Sequence, residues 1–516
     1  MENMKQIAIC LTLLLVVTPM STFFALDTVS FTGVSGEVNP CAAACTLASS
    51  AGTSDGETWS IELVDSIGKT GQHTDIAIGP DGTVYISYYD FLQEDLRCAY
   101  KSDDEWEVDT VDAEGAVGTY TSIDVDNDGR PAISYYDETE HDLKYAVLEN
   151  SAWRVEAVDT EGDVGRYSSL AVDGRGDPHI VYYDGSTDSL KYATCSDGDW
   201  NIAVVDAESD SGRYAAIALD SQGTPHCTYG RDETVLMYAP RATGSWETRQ
   251  VDSEIKLYGS TAIAMEDDTP YIAYFDISND PNWRLRYATT RNGDWTIEIV
   301  DPDIYGFWRE RGLDIAVRDG VVHLGYFHWD NWDTGYAYRY HGMWTTEIVE
   351  SEGDIGAFAS IALDSQGYPH MSYMDRSNLA LKYAYKTQYA PVAPEKPEGP
   401  GRGRTGAEYA YTTSSADLDG DEIQYGWDWD GDRNVDDWTS FTASGDGIET
   451  THTWDSDGTY IIRVKARDDT GLESEWSAPL QVSMPYIRQG LPAMMWQWLT
   501  QHLPILSLIP SISSGI

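Results

Sequence analysis

Apolar and polar positions alternate in short runs along most of the chain, and the runs are separated by clusters of Gly, Asp, Ser and Pro. Residues 153–159 alternate, 160–166 form an acidic stretch with two glycines, and 168–172 alternate again. A Gly-Arg-Gly-Asp-Pro turn at 174–178 follows. Then come an apolar run at 179–183, a polar loop at 184–189, a run at 190–194, and a Ser-Asp-Gly-Asp turn into Trp200. A period of two with such punctuation predicts strands and tight turns. Four short antiparallel strands in 47 residues is the size of one propeller blade.

The unit recurs. Tryptophans stand at Trp59, Trp106, Trp153, Trp200, Trp246, Trp295 and Trp344, at spacings of 46 to 49 residues. A Tyr pair or its relative keeps the same period, starting at Tyr88, Tyr135, Tyr182, Tyr229, Tyr274, Tyr326 and Tyr373. An Asp follows two residues on at Asp90, Asp137, Asp184, Asp276 and Asp375. A third landmark is Leu-x-Tyr-Ala, as at Leu143, Leu190 and Leu381. The array opens on what is an outermost strand and closes on a third strand, so the last blade lacks its outer strand. Pairing of 59–65 with 381–386 supplies it and removes an exposed edge. The expectation is an all-β chain: a seven-bladed β-propeller over 59–388 closed by its N-terminal strand, then a β-sandwich.

The blades resemble the propeller repeats of sialidase-like secreted proteins, in which a Ser-x-Asp-x-Gly-x-x-Trp "Asp box" turns between the third and fourth strands. Ser196-Asp197-Gly198-Asp199-Trp200 is a shortened relative. The resemblance covers the blade plan and not a catalytic set. After a Pro- and Gly-rich linker at 389–407, residues 408–485 resemble a polycystic-kidney-disease-type (PKD), immunoglobulin-like domain. The matching stretches are 409–414, 417–421 (Asp-Leu-Asp-Gly-Asp), 425–430, 452–454 and 458–464. The usual Trp-Gly-Asp-Gly turn is altered to Trp429-Asp430-Gly431-Asp432. This resemblance implies spacing, adhesion or carbohydrate association in surface proteins, archaeal ones among them, rather than catalysis.

Composition narrows the setting. Tyr (34) and Trp (18) far outnumber Phe (9), which suits strands whose rings are buried on one side and reach water on the other. The net charge of −53 argues against nucleic acid or anionic lipid as a direct partner and fits a salty or calcium-containing exterior. Residues 1–25 read as a signal peptide, with a retained N-terminal anchor as the alternative, 26–58 as a flexible segment, and 486–516 as an apolar tail broken by Pro492, Pro504 and Pro510. That tail suits a membrane-interface or sorting contact, or a short docked helix. The protein is therefore expected to be secreted or at the cell surface. Cys98, Cys195 and Cys227 fall in predicted strands and read as free thiols rather than a disulfide or zinc framework.

Candidate chemistry gathers on the face holding the loops before the inner strands. Tyr120, Tyr167, Tyr214 and Phe358 share one repeat position there, beside the Asp of each Tyr-Tyr-Asp. An aromatic and acidic rim would stack sugar rings; the competing reading is that a repeat reuses its own packing. The irregular loops 301–311 and 327–332 add Tyr305, Trp308, Arg309, Arg311, His328, Trp329 and Trp332 as a ligand patch. His179, His226, His323 and His370 share one position and read as inter-blade packing. Asp428, Asp430, Asp432, Asn434 and Asp436 place oxygens at alternate positions, as calcium prefers, without an EF-hand's closing Glu, since Thr439 stands at the twelfth place. Three function classes follow. One is a binding or adhesion protein for carbohydrate or a cell-surface protein. The second is a carbohydrate-active enzyme, for which Arg166, Arg213 and Arg309 would hold a carboxylate. The third is a structural spacer of a surface layer. No nucleophile–base motif stands out.

Overall fold

The computed structural model describes residues 59–484, apart from 103–104, 197, 209, 254, 279–281, 292, 306–311 and 329–331. The expected signal, the segment before Trp59 and the apolar tail lie outside the described residues. Seven four-stranded antiparallel sheets follow one another along 59–386. The first comprises Gln72–Ile78, Val84–Asp90, Asp95–Ser102 and Glu105–Asp112, and the third Val164–Val172, Pro178–Asp184, Ser189–Ser196 and Asp199–Asp206. In the first six sheets the earliest strand is innermost and the latest, which carries or follows the repeat Trp, is outermost. The seventh takes its outer strand from the beginning of the array. Trp59–Asp65 pairs antiparallel with Ala380–Lys386, Trp59 opposite Lys386 and Asp65 opposite Leu381. Each inner strand lies beside the next sheet's inner strand, and Ile355–Leu363 of the seventh lies beside Gln72–Ile78 of the first.

The repeat landmarks prove to be contacts between sheets. Trp200 sets its indole edge-on against Tyr145 of the preceding sheet, at 5.3 Å and 71°. Trp106 does the same to Tyr383, joining the first sheet to the seventh (5.1 Å, 72°). The first Tyr of each pair is buried and donates to a carboxylate ending the previous outer strand: Tyr88 to Asp65, Tyr135 to Asp112, Tyr182 to Asp159 and Tyr229 to Asp206, each at 2.7 Å. A cation from the third strand joins them. Lys191 reaches Asp159 at 3.0 Å and Asp184 at 2.9 Å. Burial and the Asp159 charge push the Tyr182 hydroxyl far above its ordinary pKa, so it is a fixed donor. The four histidines each share a hydrogen bond with a third-strand Tyr; His179 meets Tyr192 at 2.6 Å and His323 meets Tyr336 at 2.7 Å. Burial holds all four imidazoles below their usual pKa, hence neutral.

The C-terminal module has two sheets, Glu408–Thr413 with Ile448–Thr453, and Ile423–Asp428 between Asp437–Trp438 and Gly458–Asp468, the last also pairing Leu480–Met484. Its core holds Tyr411, Tyr425, Trp427, Trp429, Trp454, Ile462 and Val464, with Trp427 and Trp429 stacked at 4.5 Å. The Pro-rich stretch read as a linker lies along this module rather than free. Val392 N–H donates to Ala416, Glu395 to Ser414 and Glu398 to Thr412, and Pro391, Pro394 and Pro397 are buried. Pro locks φ and has no N–H to satisfy, so an extended strap with buried Pro gives up little on docking. Among the described residues no helix is long and apolar enough to cross a membrane.

Candidate functional site

The inner strands surround a cavity of about 650 Å³. Its lining includes five aromatic residues at one repeat position: His73, Tyr120, Tyr167, Tyr214 and Phe358. All five have left-handed backbones, with φ between 52° and 58°. For a side chain with a Cβ this conformation is unfavourable by about 1–2 kcal/mol. It arises at a bulge: in the third sheet the register slips between Val164 and Arg166 and again between Arg166 and Ser169. Such a bulge re-aims a side chain. The rings form a continuous arc, with centroids 4.7 Å apart for Phe358–His73, 4.8 Å for His73–Tyr120 and for Tyr120–Tyr167, and 4.9 Å for Tyr167–Tyr214. Burial lowers the His73 pKa to about 4, so the arc carries no charge there near neutral pH. The arc stops at the fifth and sixth sheets, where Ser260 and Gly312 line the cavity instead. A Cβ on Gly312 would lie 1.8 Å from the Ala359 nitrogen, which excludes any side chain.

The next position inward staples one sheet to the next. Asp75 Oδ2 accepts from Ile123 N–H at 2.9 Å, Ser122 Oγ from Leu170 at 3.1 Å, Ser169 Oγ from Ile217 at 3.2 Å, and Asp314 Oδ2 from Ile361 at 3.0 Å. Ser360 Oγ accepts from Ile76 at 3.4 Å, linking the seventh sheet to the first. Ser360 Oγ also lies 2.6 Å from Asp75 Oδ1 and 2.8 Å from Asp314 Oδ2. A serine hydroxyl has one proton, so it donates to one carboxylate, and the other contact is favourable only if that carboxyl is itself protonated. Burial raises the pKa of both, and for Asp314 the neighbouring Asp75 charge adds to it. Asp124, whose oxygens accept from Val125 at 2.8 Å and Val172 at 2.7 Å, is raised by burial to about 6.

The structure thus brings Tyr120, Tyr167, Tyr214 and Phe358 together and adds His73, which sequence reasoning missed. Its signal was available: Gly71-Gln72-His73 repeats the Gly-x-aromatic of Gly118–Tyr120, Gly165–Tyr167, Gly212–Tyr214 and Gly356–Phe358. The Asp of each Tyr-Tyr-Asp does not join an acidic rim. Asp90, Asp137, Asp184, Asp276 and Asp375 are buried, with ion pairs to Arg97, Lys144, Lys191, Arg286 and Lys382. Outside the arc, Arg166 pairs with Asp163 at 3.2 Å over the Tyr136 ring, and Arg213 with Asp210 at 2.7 Å over Tyr183. Of the irregular-loop patch, His328 lies 3.6 Å from Asp301, and Trp332 is half-exposed with its ring 6.3 Å from Phe327. Neither lines the cavity. Trp308, Arg309, Arg311 and Trp329, and the side chain of Tyr305, lie outside the described residues.

In the sandwich, Asp428, Asp430 and Asp432 bring carboxylate oxygens within 4.8 Å of one another. Both Asp428 oxygens already accept backbone N–H groups, from Gly431 at 2.6 Å and Arg433 at 3.0 Å. Asp432 holds Asn434 through its N–H and Nδ2, and Asp436 turns away to accept from Trp429 N–H at 2.8 Å. A second acidic group, Asp417, Asp419 and Asp421, is equally compact.

Residues 396–478 match the PKD domain family, so the match begins within the strap along the sandwich. Among solved structures, the PKD domain of an M14-like peptidase from Thermoplasmatales archaeon SCGC AB-540-F20 is 39% identical, covering 19% of this chain and 99% of that one, with a TM-score of 0.18. An α-L-arabinofuranosidase from Clostridium thermocellum ATCC 27405 is 12% identical over 54% of this chain and 93% of its own (TM-score 0.31). A subtype N11 neuraminidase-like protein of A/flat-faced bat/Peru/033/2010 (H18N11) is 8% identical over 64% and 94% (TM-score 0.35). No curated protein matches the chain.

Proposed function

We propose that the protein is an extracellular or cell-surface binding and adhesion protein, a closed seven-bladed propeller carrying a PKD module, and that the aromatic arc receives a sugar ring. The observation that carries this reading is the left-handed backbone shared by His73, Tyr120, Tyr167, Tyr214 and Phe358. Five repeats hold an aromatic side chain in a conformation that glycine would adopt without strain, and they aim it into the cavity. Observed strain of this kind motivates a functional hypothesis. Stacking faces suit the apolar faces of a sugar, and the Arg166–Asp163 and Arg213–Asp210 pairs beside them supply donors and acceptors for its hydroxyls. PKD domains typically occur in extracellular proteins, which supports the location.

A second reading, a carbohydrate-active enzyme, draws on the raised carboxyls Asp75, Asp124 and Asp314 in the cavity lining. Against it, their oxygens are engaged by backbone N–H groups of adjacent strands. A glycan-array screen of the secreted chain, with bound glycans then checked by mass spectrometry, separates the two. Binding without turnover, lost in Tyr167→Ala, supports the binder. Cleaved glycan moves the reading to the carboxyls. No glycan binding leaves a protein partner or a spacer role.

A further inference from the structure

Carboxyls and alanines divide the wall of the central cavity between them. Asp314, Ser360 and Asp75 stand two residues beyond Gly312, Phe358 and His73 on the inner strands of the sixth, seventh and first sheets, and Asp124 stands four beyond Tyr120 on the second. The corresponding positions of the third to fifth sheets hold Ser169 and Ala171, Ala216 and Ala218, and Ala262 and Ala264. Among the described residues lining the cavity there is no Lys or Arg. Arg166 and Arg213 stay outside it, each neutralised by its own carboxylate, Asp163 and Asp210. His73 is uncharged near neutral pH. Asp75, Asp124 and Asp314 therefore give the cavity an acidic side with no counter-charge. All three are half-buried, and burial raises the pKa of each, so their negative charge is poorly hydrated there.

This wall is short of donors. Asp75 accepts the N–H groups of Ile76 and Ile123, Asp314 those of Ile315 and Ile361, and Asp124 those of Val125 and Val172, one on each oxygen. A carboxylate can accept about four hydrogen bonds, so each keeps capacity for a donor arriving through the cavity. Ser360 lies between Asp75 and Asp314 and has a single proton for the two. We propose that the cavity selects an amine-bearing sugar over neutral and acidic ones, with the sugar ring against the aromatic arc and its ammonium between Asp75 and Asp314; this rests on the arc being a sugar site. An ammonium brings three donors to the two carboxyls. Aromatic rings attract a cation as well, so the arc and the acidic side favour the same charge. An acidic sugar would meet three carboxyls and no base. A bare metal ion is served less well, because every carboxylate oxygen already carries an N–H and neither the rings nor the alanines would touch it. The net charge of −53 steers cationic ligands toward the protein from a distance.

The test titrates the full secreted chain by calorimetry, just below neutral pH, with the trimers of glucosamine, N-acetylglucosamine and galacturonate. The first two share a sugar skeleton and differ in the charge on nitrogen. The glucosamine trimer should bind about tenfold to a hundredfold more tightly than the acetylated one, the range of one hydrogen bond to a charged group. The galacturonate trimer should not bind. Added salt should narrow the gap between the first two. Asp314→Asn should weaken glucosamine binding at least about tenfold, and Tyr167→Ala should lose it. Equal affinity for the glucosamine and acetylated trimers overturns the proposal, as does tighter binding of galacturonate, and either result leaves the arc as a sugar site. A preference for glucosamine that survives both Asp314→Asn and Asp75→Asn overturns it too. Binding of none of the three overturns it alone if the array shows another glycan bound, and together with the sugar-site reading if the array is blank. Should the Asp variants fail to fold, the trimer comparison and its salt dependence on the wild type decide.

Discussion

Tyr167 tests whether the arc is held against its backbone preference. Two ring neighbours lie within 5 Å, Tyr120 at 4.8 Å and Tyr214 at 4.9 Å. Each tilted pair contributes about 0.5–1.5 kcal/mol, so Tyr167→Ala loses about 1–3 kcal/mol of ring contact while keeping the φ of 55°. Tyr167→Gly loses the same contacts but relieves the left-handed strain. It should therefore be more stable than the Ala variant by about 1 kcal/mol, the reverse of the order at an ordinary strand position. Urea denaturation followed by Trp fluorescence, with all three proteins at one pH, reads the order. Both variants should lose glycan binding alike, because the ring and not the backbone makes the platform. An Ala variant as stable as the Gly variant would refute the strain argument. Undiminished glycan binding in both would refute the arc as the site.

Other outcomes follow from the same geometry. Tyr182→Phe removes one hydrogen bond to the charged Asp159 and should cost about 1.5–3 kcal/mol in the same denaturation assay. Lys191→Met leaves Asp159 and Asp184 buried without their cation and should cost more, about 3–5 kcal/mol. Deleting residues before 66 leaves Ala380–Lys386 as an open edge, and the product should aggregate on light scattering where wild type does not. Asp124 has its folded pKa raised from 3.8 to about 6, so the native state binds the extra proton. Its contribution is full below the unfolded value and is lost as pH rises through about 6. The Asp124 contribution should grow as pH falls from about 6 to about 4, and the difference between wild type and Asp124→Asn across that range reads it.

The repeat made the blade plan legible without coordinates. Trp, Tyr-Tyr-Asp and Leu-x-Tyr-Ala recur because each sheet meets its neighbour through the same contacts, and identical contacts demand identical residues. The phase of that pattern likewise fixed the partner of 59–65, since a strand with one unsatisfied edge has one matching edge to fill. The PKD stretch was legible for the same reason, in that its Trp and Tyr core leaves a sequence signature.

Other features depended on three dimensions. Whether an Asp faces water or a lysine is decided by how the neighbouring strand packs beside it, so the Tyr-Tyr-Asp carboxylates read equally well as rim or core until Lys144 and Lys191 were seen beside them. His73 carries the Gly-x-aromatic pattern in sequence, but only its bulge places it between Phe358 and Tyr120. Alternating aspartates marked 428–436, yet in the described sandwich the buried carboxylate oxygens without a hydrogen-bond partner belong to Asp417 and Asp468, and Asp468 comes near Asp419 and Asp421 because Gly458–Asp468 pairs with Ile423–Asp428. Local periodicity is written into the chain because each strand's burial depends on its own neighbours in sequence. Which polar groups are left without a partner depends on elements far apart in the chain, and only tertiary structure decides it.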